Sequence, residues 1–139
     1  MAAINFDSSE TEYYTPKEIV DRFGPFDYDP ATTPALAQYF DIPNHDTKET
    51  DGLKRDWGSF NRIWCNPPFN LKFEFLKKGV DSKRKCFFLL PVSVLTTKSF
   101  HAILGRAKYV LHIPNGRIKF RGKSPAFGCI ILELGCDKI

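Results

Sequence analysis

The chain has 139 residues, 42% of them hydrophobic and 13 of them Phe, which suits one compact domain with a single core and leaves no room for a second full domain. Its formal net charge of +4 is mildly basic, compatible with a polyanionic partner without requiring one. No run approaches the roughly 20 apolar residues that cross a bilayer, and the opening MAAINFDSSETE lacks the basic start and apolar core of a signal segment, so a cytoplasmic protein with no membrane partner is expected.

Residues 1–12 read as a flexible arm and 13–139 as the single domain. Thr15-Pro16 then signals a helix start, with Thr15 as N-cap and Pro16 in the first helical position, and KEIVDRFG carries Ile19, Val20 and Phe23 on its apolar face. FDYDPA alternates apolar and acidic residues, as a short strand ending near Asp29 would. AQYFDI reads as a further strand, and PNHDTKETDGLKRD as an extended surface loop. NRIWC is a strand leading into Asn66-Pro67-Pro68-Phe69, and LKFEFLKKGVDS a helix with Phe73, Leu76 and Val80 turned inward. KCFFLLPV, apolar throughout, predicts a strand buried on both faces. TKSFHAILGRA is the next helix and KYVLHI the next strand, and NGRIKF and FGCIILEL are strands joined by the basic turn RGKSP. This alternation implies an open, mostly parallel α/β sheet with an antiparallel edge strand or hairpin. Cys65, Cys86, Cys129 and Cys136 have no metal-ligand spacing and read as buried thiols, and no metal is expected.

The sharpest local feature is Asn66-Pro67-Pro68-Phe69, directly after a strand, where open α/β sheets bind ligands. Each proline fixes its own φ and disfavours helix in the residue before it, so Asn66 and Pro67 are held extended. Such a stiff platform suits methylation of an aromatic amine, whose lone pair is delocalised into the ring. The Asn66 side-chain oxygen and the Pro67 carbonyl offer two acceptors for the amine hydrogens, and Phe69 offers a face on which an extruded base gains about 1–3 kcal/mol. The plainer alternative is a turn with a core phenylalanine.

Tyr14-Thr15-Pro16, FDYDPA, DGLKRDW, RIWCNPPF, FFLLPV and GRIKF occur in an order and spacing that resembles the phage DNA N-6-adenine methyltransferase family from near the start of the chain to its last strand. The resemblance implies a minimal Rossmann-like methyltransferase fold, use of S-adenosylmethionine with S-adenosylhomocysteine as product, and methylation of the exocyclic amine of adenine in DNA. It assigns the target adenine to Asn66, Pro67, Pro68 and Phe69. It assigns the cofactor to Tyr14, Thr15 and Pro16 at the methionine end, to Asp29 with Pro30 and Ala31 near the ribose or the methionyl charge, and to Asp51 at the cofactor's adenine amine. A phage role such as protection of DNA from host restriction, acted out in a bacterial cytoplasm, is a further implication.

FDYDPATTP departs from most methyltransferase sites in lacking a glycine-rich turn, so the loop from Thr32 to Thr50 has to supply what that turn would. Arg117, Lys119, Arg121 and Lys123 alternate onto one face of the late hairpin and are candidates for DNA phosphate contacts, a solvated basic hairpin being the alternative. His45, His101 and His112 lack the spacing of a triad or metal site. The absence of a recognition domain leaves DNA contacts to be supplied by a homodimer partner or another protein, or left few. Two rival functions stay open at this level: an N-methyltransferase acting on RNA or a protein amide, and a non-catalytic nucleic-acid-binding protein of the same fold.

Overall fold

A computed structural model describes residues 15–115, 118 and 128–135. The flexible arm expected over 1–12, and Tyr14, Arg117, Lys119, Arg121, Lys123 and Cys136, lie outside the described residues.

One six-stranded sheet organises the chain. Its strands are β1 (Tyr28–Asp29), β2 (Asn44–His45), β3 (Arg62–Cys65), β4 (Lys85–Pro91), β5 (Tyr109–His112) and β6 (Cys129–Leu134), in the spatial order β2-β1-β3-β4-β6-β5. The first four pair in parallel. The antiparallel part expected at one side is formed by β6, which runs against both β4 and β5 and leaves β5 at the border. From β1 the chain moves outward to β2, then crosses back to place β3 on the other side of β1. That reversal is the switch point at which open α/β sheets form a crevice beyond the carboxyl ends of their strands.

Helices α1 (Lys17–Phe23), α2 (Pro34–Tyr39), α3 (Lys72–Ser82) and α4 (Lys98–Leu104) complete the layers. Period-two alternation divides β4 between the faces: Cys86, Phe88 and Leu90 join Phe75, Leu76, Phe100 and Leu104 of α3 and α4, whereas Phe87 and Leu89 join Val20, Leu36 and Phe40 on the α1–α2 side. This accounts for the unbroken apolar run of β4, with each large side chain fully buried contributing about 1.5–3 kcal/mol. α3 presses so closely on β4 that a Cβ on Gly79 would lie 2.6 Å from the Phe88 ring, which explains a glycine inside a helix.

Several local expectations are corrected. Thr15 does not cap α1; Pro16 holds that position and makes no side-chain cap bond. AQYFDI is not a strand, because Thr33-Pro34 starts α2 instead, with the Leu36 amide donating to Thr33 Oγ1 at 3.2 Å and Pro34 in the first turn. The inward face of α3 centres on Phe75, Leu76 and Gly79, with Phe73 and Val80 only partly buried. PNHDTKETDGLKRD is not a surface loop throughout: it contributes β2 and a 3-10 turn at Gly52–Lys54, and it buries Asp46.

Candidate active site

The carboxyl ends of β1 and β3, neighbours across the switch point, carry the residues singled out from the sequence. Asp29 is the last residue of β1 and only 3% exposed, and its Oδ1 accepts from the Ala31 amide at 3.0 Å. No cation pairs with it among the described residues. Burial pushes its carboxyl up to about 7, an effect the Ala31 bond only partly offsets. The neighbouring Cys65 thiol is raised well above its usual value by burial, with the Asp29 charge adding to the effect.

The turn after β1 is held from within the loop Thr32 to Thr50, by Asp46, a residue the sequence did not single out. The Asp46 amide donates to the Asp29 carbonyl at 3.0 Å and the Thr32 amide donates to the Asp46 carbonyl at 3.1 Å, so Asp46 clasps the Asp29-Pro30-Ala31 turn from both sides. Its own side chain, 3% exposed, accepts from Tyr28 Oη at 2.6 Å and from Arg55 through Nε at 2.9 Å and Nη2 at 3.0 Å. Burial would raise the Asp46 carboxyl, but the bonds from Arg55 and Tyr28 outweigh it and leave the group below its ordinary value. Burial together with the bond to Asp46 raises the Tyr28 hydroxyl. Gly52 closes the loop, since a Cβ there would lie 2.1 Å from the Pro30 carbonyl oxygen, and the Trp57 indole donates to the Gly52 carbonyl at 2.9 Å. Asp51 is thereby brought beside the Asp29 turn, at φ 62° and with Oδ1 accepting from the Leu53 amide at 3.1 Å. A mesh of bonds stands where a glycine-rich turn would otherwise be.

Asn66 follows β3 directly. Its Nδ2 donates to Thr15 Oγ1 at 3.4 Å, a long bond joining residues 51 apart in sequence, and its Oδ1 is buried with no partner among the described residues. A buried acceptor left open costs about 1–3 kcal/mol, so the orphan marks a place where a donor belongs. Pro67 is buried, Pro68 half-buried, and Phe69 stands 49% exposed at the start of a 3-10 turn running into α3. Lys72 Nζ lies 3.8 Å from the centre of the Phe69 ring and donates to the Phe69 carbonyl at 3.1 Å. Neither Asp46 nor Lys72 has a periodic or motif signal that would have marked it.

Asp27 and Asp56 have structural roles. Asp27 accepts from the Asn61 and Arg62 amides, and Asp56 caps a 3-10 turn through the Gly58 amide. His112 faces Glu133 at 2.8 Å and His101 the Leu95 carbonyl at 2.7 Å. Among the described residues no group of three or more His, Cys, Asp or Glu is placed to hold a metal ion. A cleft of about 460 Å³ opens near the amino end of β4, away from the Asn66 turn, and Lys83, Arg84, Arg106 and Lys108, just beyond the ends of α3 and α4, line it.

A mostly parallel sheet with one reversed strand next to its border, and an Asn-Pro-Pro-Phe turn at the switch point, defines a Rossmann-like methyltransferase fold. Residues 6–129 match the family described as DNA N-6-adenine-methyltransferase (Dam), and the chain belongs to that family. It is 32% identical over 71 residues to the DNA N-6-adenine-methyltransferase of Escherichia phage T1. That match covers 48% of this chain and spans only 29% of the phage protein.

Proposed function

We propose that the chain transfers a methyl group from S-adenosylmethionine to the exocyclic amine of adenine in DNA. The observation that carries this reading is the orphaned, buried Asn66 Oδ1 in a proline-stiffened turn at the switch point, one strand away from the buried carboxylate of Asp29.

Asn66 Oδ1 and the Pro67 carbonyl accept the two amine hydrogens. This draws the nitrogen toward a pyramidal geometry and turns its lone pair toward the cofactor side of the crevice. Phe69, half in solvent, stacks the extruded base, and Pro67 and Pro68 keep these groups from relaxing away. An unpaired carboxylate at the end of β1 fits a ligand that brings positive charge or hydroxyls, and Asp29, Pro30 and Ala31 hold the cofactor there. Asp51 keeps Oδ2 for the cofactor's adenine amine, and Tyr14, Thr15 and Pro16 serve its methionine end. S-adenosylmethionine held in that crevice would supply a methyl group on a sulfonium sulfur, the products being the methylated amine, S-adenosylhomocysteine and a proton released to solvent. The protein's main contribution is alignment, worth up to about 7–11 kcal/mol when reacting atoms are held in line. Arg117, Lys119, Arg121 and Lys123 contact phosphates near the target base.

The test is transfer of labelled methyl from S-adenosylmethionine to unmethylated DNA, RNA and protein side by side, with the DNA digested to nucleosides. Label in N6-methyladenine is expected. Label confined to RNA or protein, or none despite cofactor binding by calorimetry, overturns the reading.

A further inference from the structure

Lys72 stands in the first turn of α3, where the helix macrodipole favours anions and disfavours an ammonium group. No carboxylate compensates it among the described residues. Its contacts are instead with the target turn: the face of Phe69 at 3.8 Å, the Phe69 carbonyl at 3.1 Å and, more distantly, the Phe73 ring at 4.9 Å. Lys77 of the same helix is matched instead with Asp81 one turn later in the ordinary i,i+4 manner. A cation that opposes its own helix and rests on an exposed aromatic ring has a local rule broken around it, as groups reserved for a ligand do.

We propose that Lys72 is a DNA-contacting residue of the target pocket, its ammonium shielding Phe69 in the free protein and pairing with a phosphate beside the target adenine when the base takes that ring. The proposal rests on the reading of the chain as a DNA methyltransferase. The ring contact and the phosphate contact exclude one another only in part, because the flexible stem lets the ammonium swing away from the ring while its first carbons stay packed beside Phe69. Base entry then exchanges a cation–π contact for an ion pair, and Lys72 couples base capture to backbone binding.

The experiment uses the full chain, S-adenosylhomocysteine, and a duplex that the unaltered protein methylates, with DNA affinity measured over a series of salt concentrations. Lys72→Met should lower the slope of log affinity against log salt by about 0.9, so that roughly three- to four-fold less affinity is lost between about 50 and 200 mM salt. Lys72→Arg should keep the slope, as should Lys77→Met, and cofactor affinity and melting temperature should stay unchanged in all three. A Lys72→Met slope equal to that of the unaltered protein, or a loss no larger than that of Lys77→Met, overturns the proposal and leaves the methylation reading standing. Failure of the unaltered protein to methylate any duplex removes both together.

Discussion

At the carboxyl end of β1, Asp29, Pro30 and Ala31 are bound in by the Asp46 backbone, by the Arg55–Asp46–Tyr28 side chains and by the direct approach of Gly52. One strand away, at the end of β3, Asn66 has one long bond to Thr15, a buried oxygen with no partner among the described residues, and beyond it a half-exposed Phe69. The first region uses most of its polar capacity on itself, as a rigid receptor for a ligand bound in every cycle should. The second keeps an acceptor and an aromatic face in reserve, as a site that receives its substrate only for the reaction should. On the proposed reading, hydrogen-bond satisfaction distinguishes the cofactor side of the crevice from the target side.

The largest break in that comparison comes from the reacting side. Asn66→Ala should reduce methyl transfer by roughly 10²–10³, the usual cost of one pre-positioned polar partner of the transition state, while melting temperature and cofactor affinity stay near their original values. A variant with unaltered turnover would show that the orphaned oxygen has no part in the reaction. The holding side should respond in the opposite manner. Asp46→Ala leaves the buried Tyr28 hydroxyl without its acceptor and should cost about 1–3 kcal/mol of folding stability, read by denaturant titration, with a parallel loss of cofactor affinity because the Asp29 turn loosens.

Asp29 sharpens the contrast through pH. A carboxyl raised to about 7 favours the neutral acid in the folded chain, so the stability it lends is full below its ordinary value of 3.8 and is lost as pH rises through about 7. Binding that needs the carboxylate strengthens over the same rise. Calorimetry at about pH 6 and pH 8 should show tighter S-adenosylmethionine binding at the higher value, and Asp29→Asn should flatten that dependence while melting at a higher temperature at pH 8. A pH-independent affinity in the unaltered protein would remove Asp29 from the cofactor site. The smallest effect expected is at Thr15, whose bond to Asn66 is long: Thr15→Val should lower kcat by less than about ten-fold, equivalent to about 1.4 kcal/mol, and Thr15→Ser should restore it.

Which of these features could be read beforehand follows from how locally each is encoded. β4 announced itself because burial on both faces demands an unbroken apolar run, and the Asn66 turn because two prolines fix the backbone wherever they occur. The start of α2 was also written locally, in Thr33-Pro34, but the apolar residues of AQYFDI suggested a strand more loudly. Asp46 could not be read at all. An aspartate in a polar run carries no period, and its burial arises only when β2 pairs with β1 and brings Arg55 and Tyr28 together around it. The N-cap expected at Thr15 from its place before Pro16 does not form, and the bond Thr15 does make, to Asn66, depends on the finished sheet.

The position of β6 has its own consequence for how the molecule comes into being. Among the described residues β5 pairs with β6 alone, and β4 has β6 as its second neighbour, so β5 joins the sheet only after β6, the later of the two in the chain, has been made. Until then the most apolar strand of the chain shows an unpaired edge, open to association with other nascent chains. Forming the sheet therefore includes an insertion, and the crevice at Asn66 belongs to a sheet that β6 completes between β4 and β5.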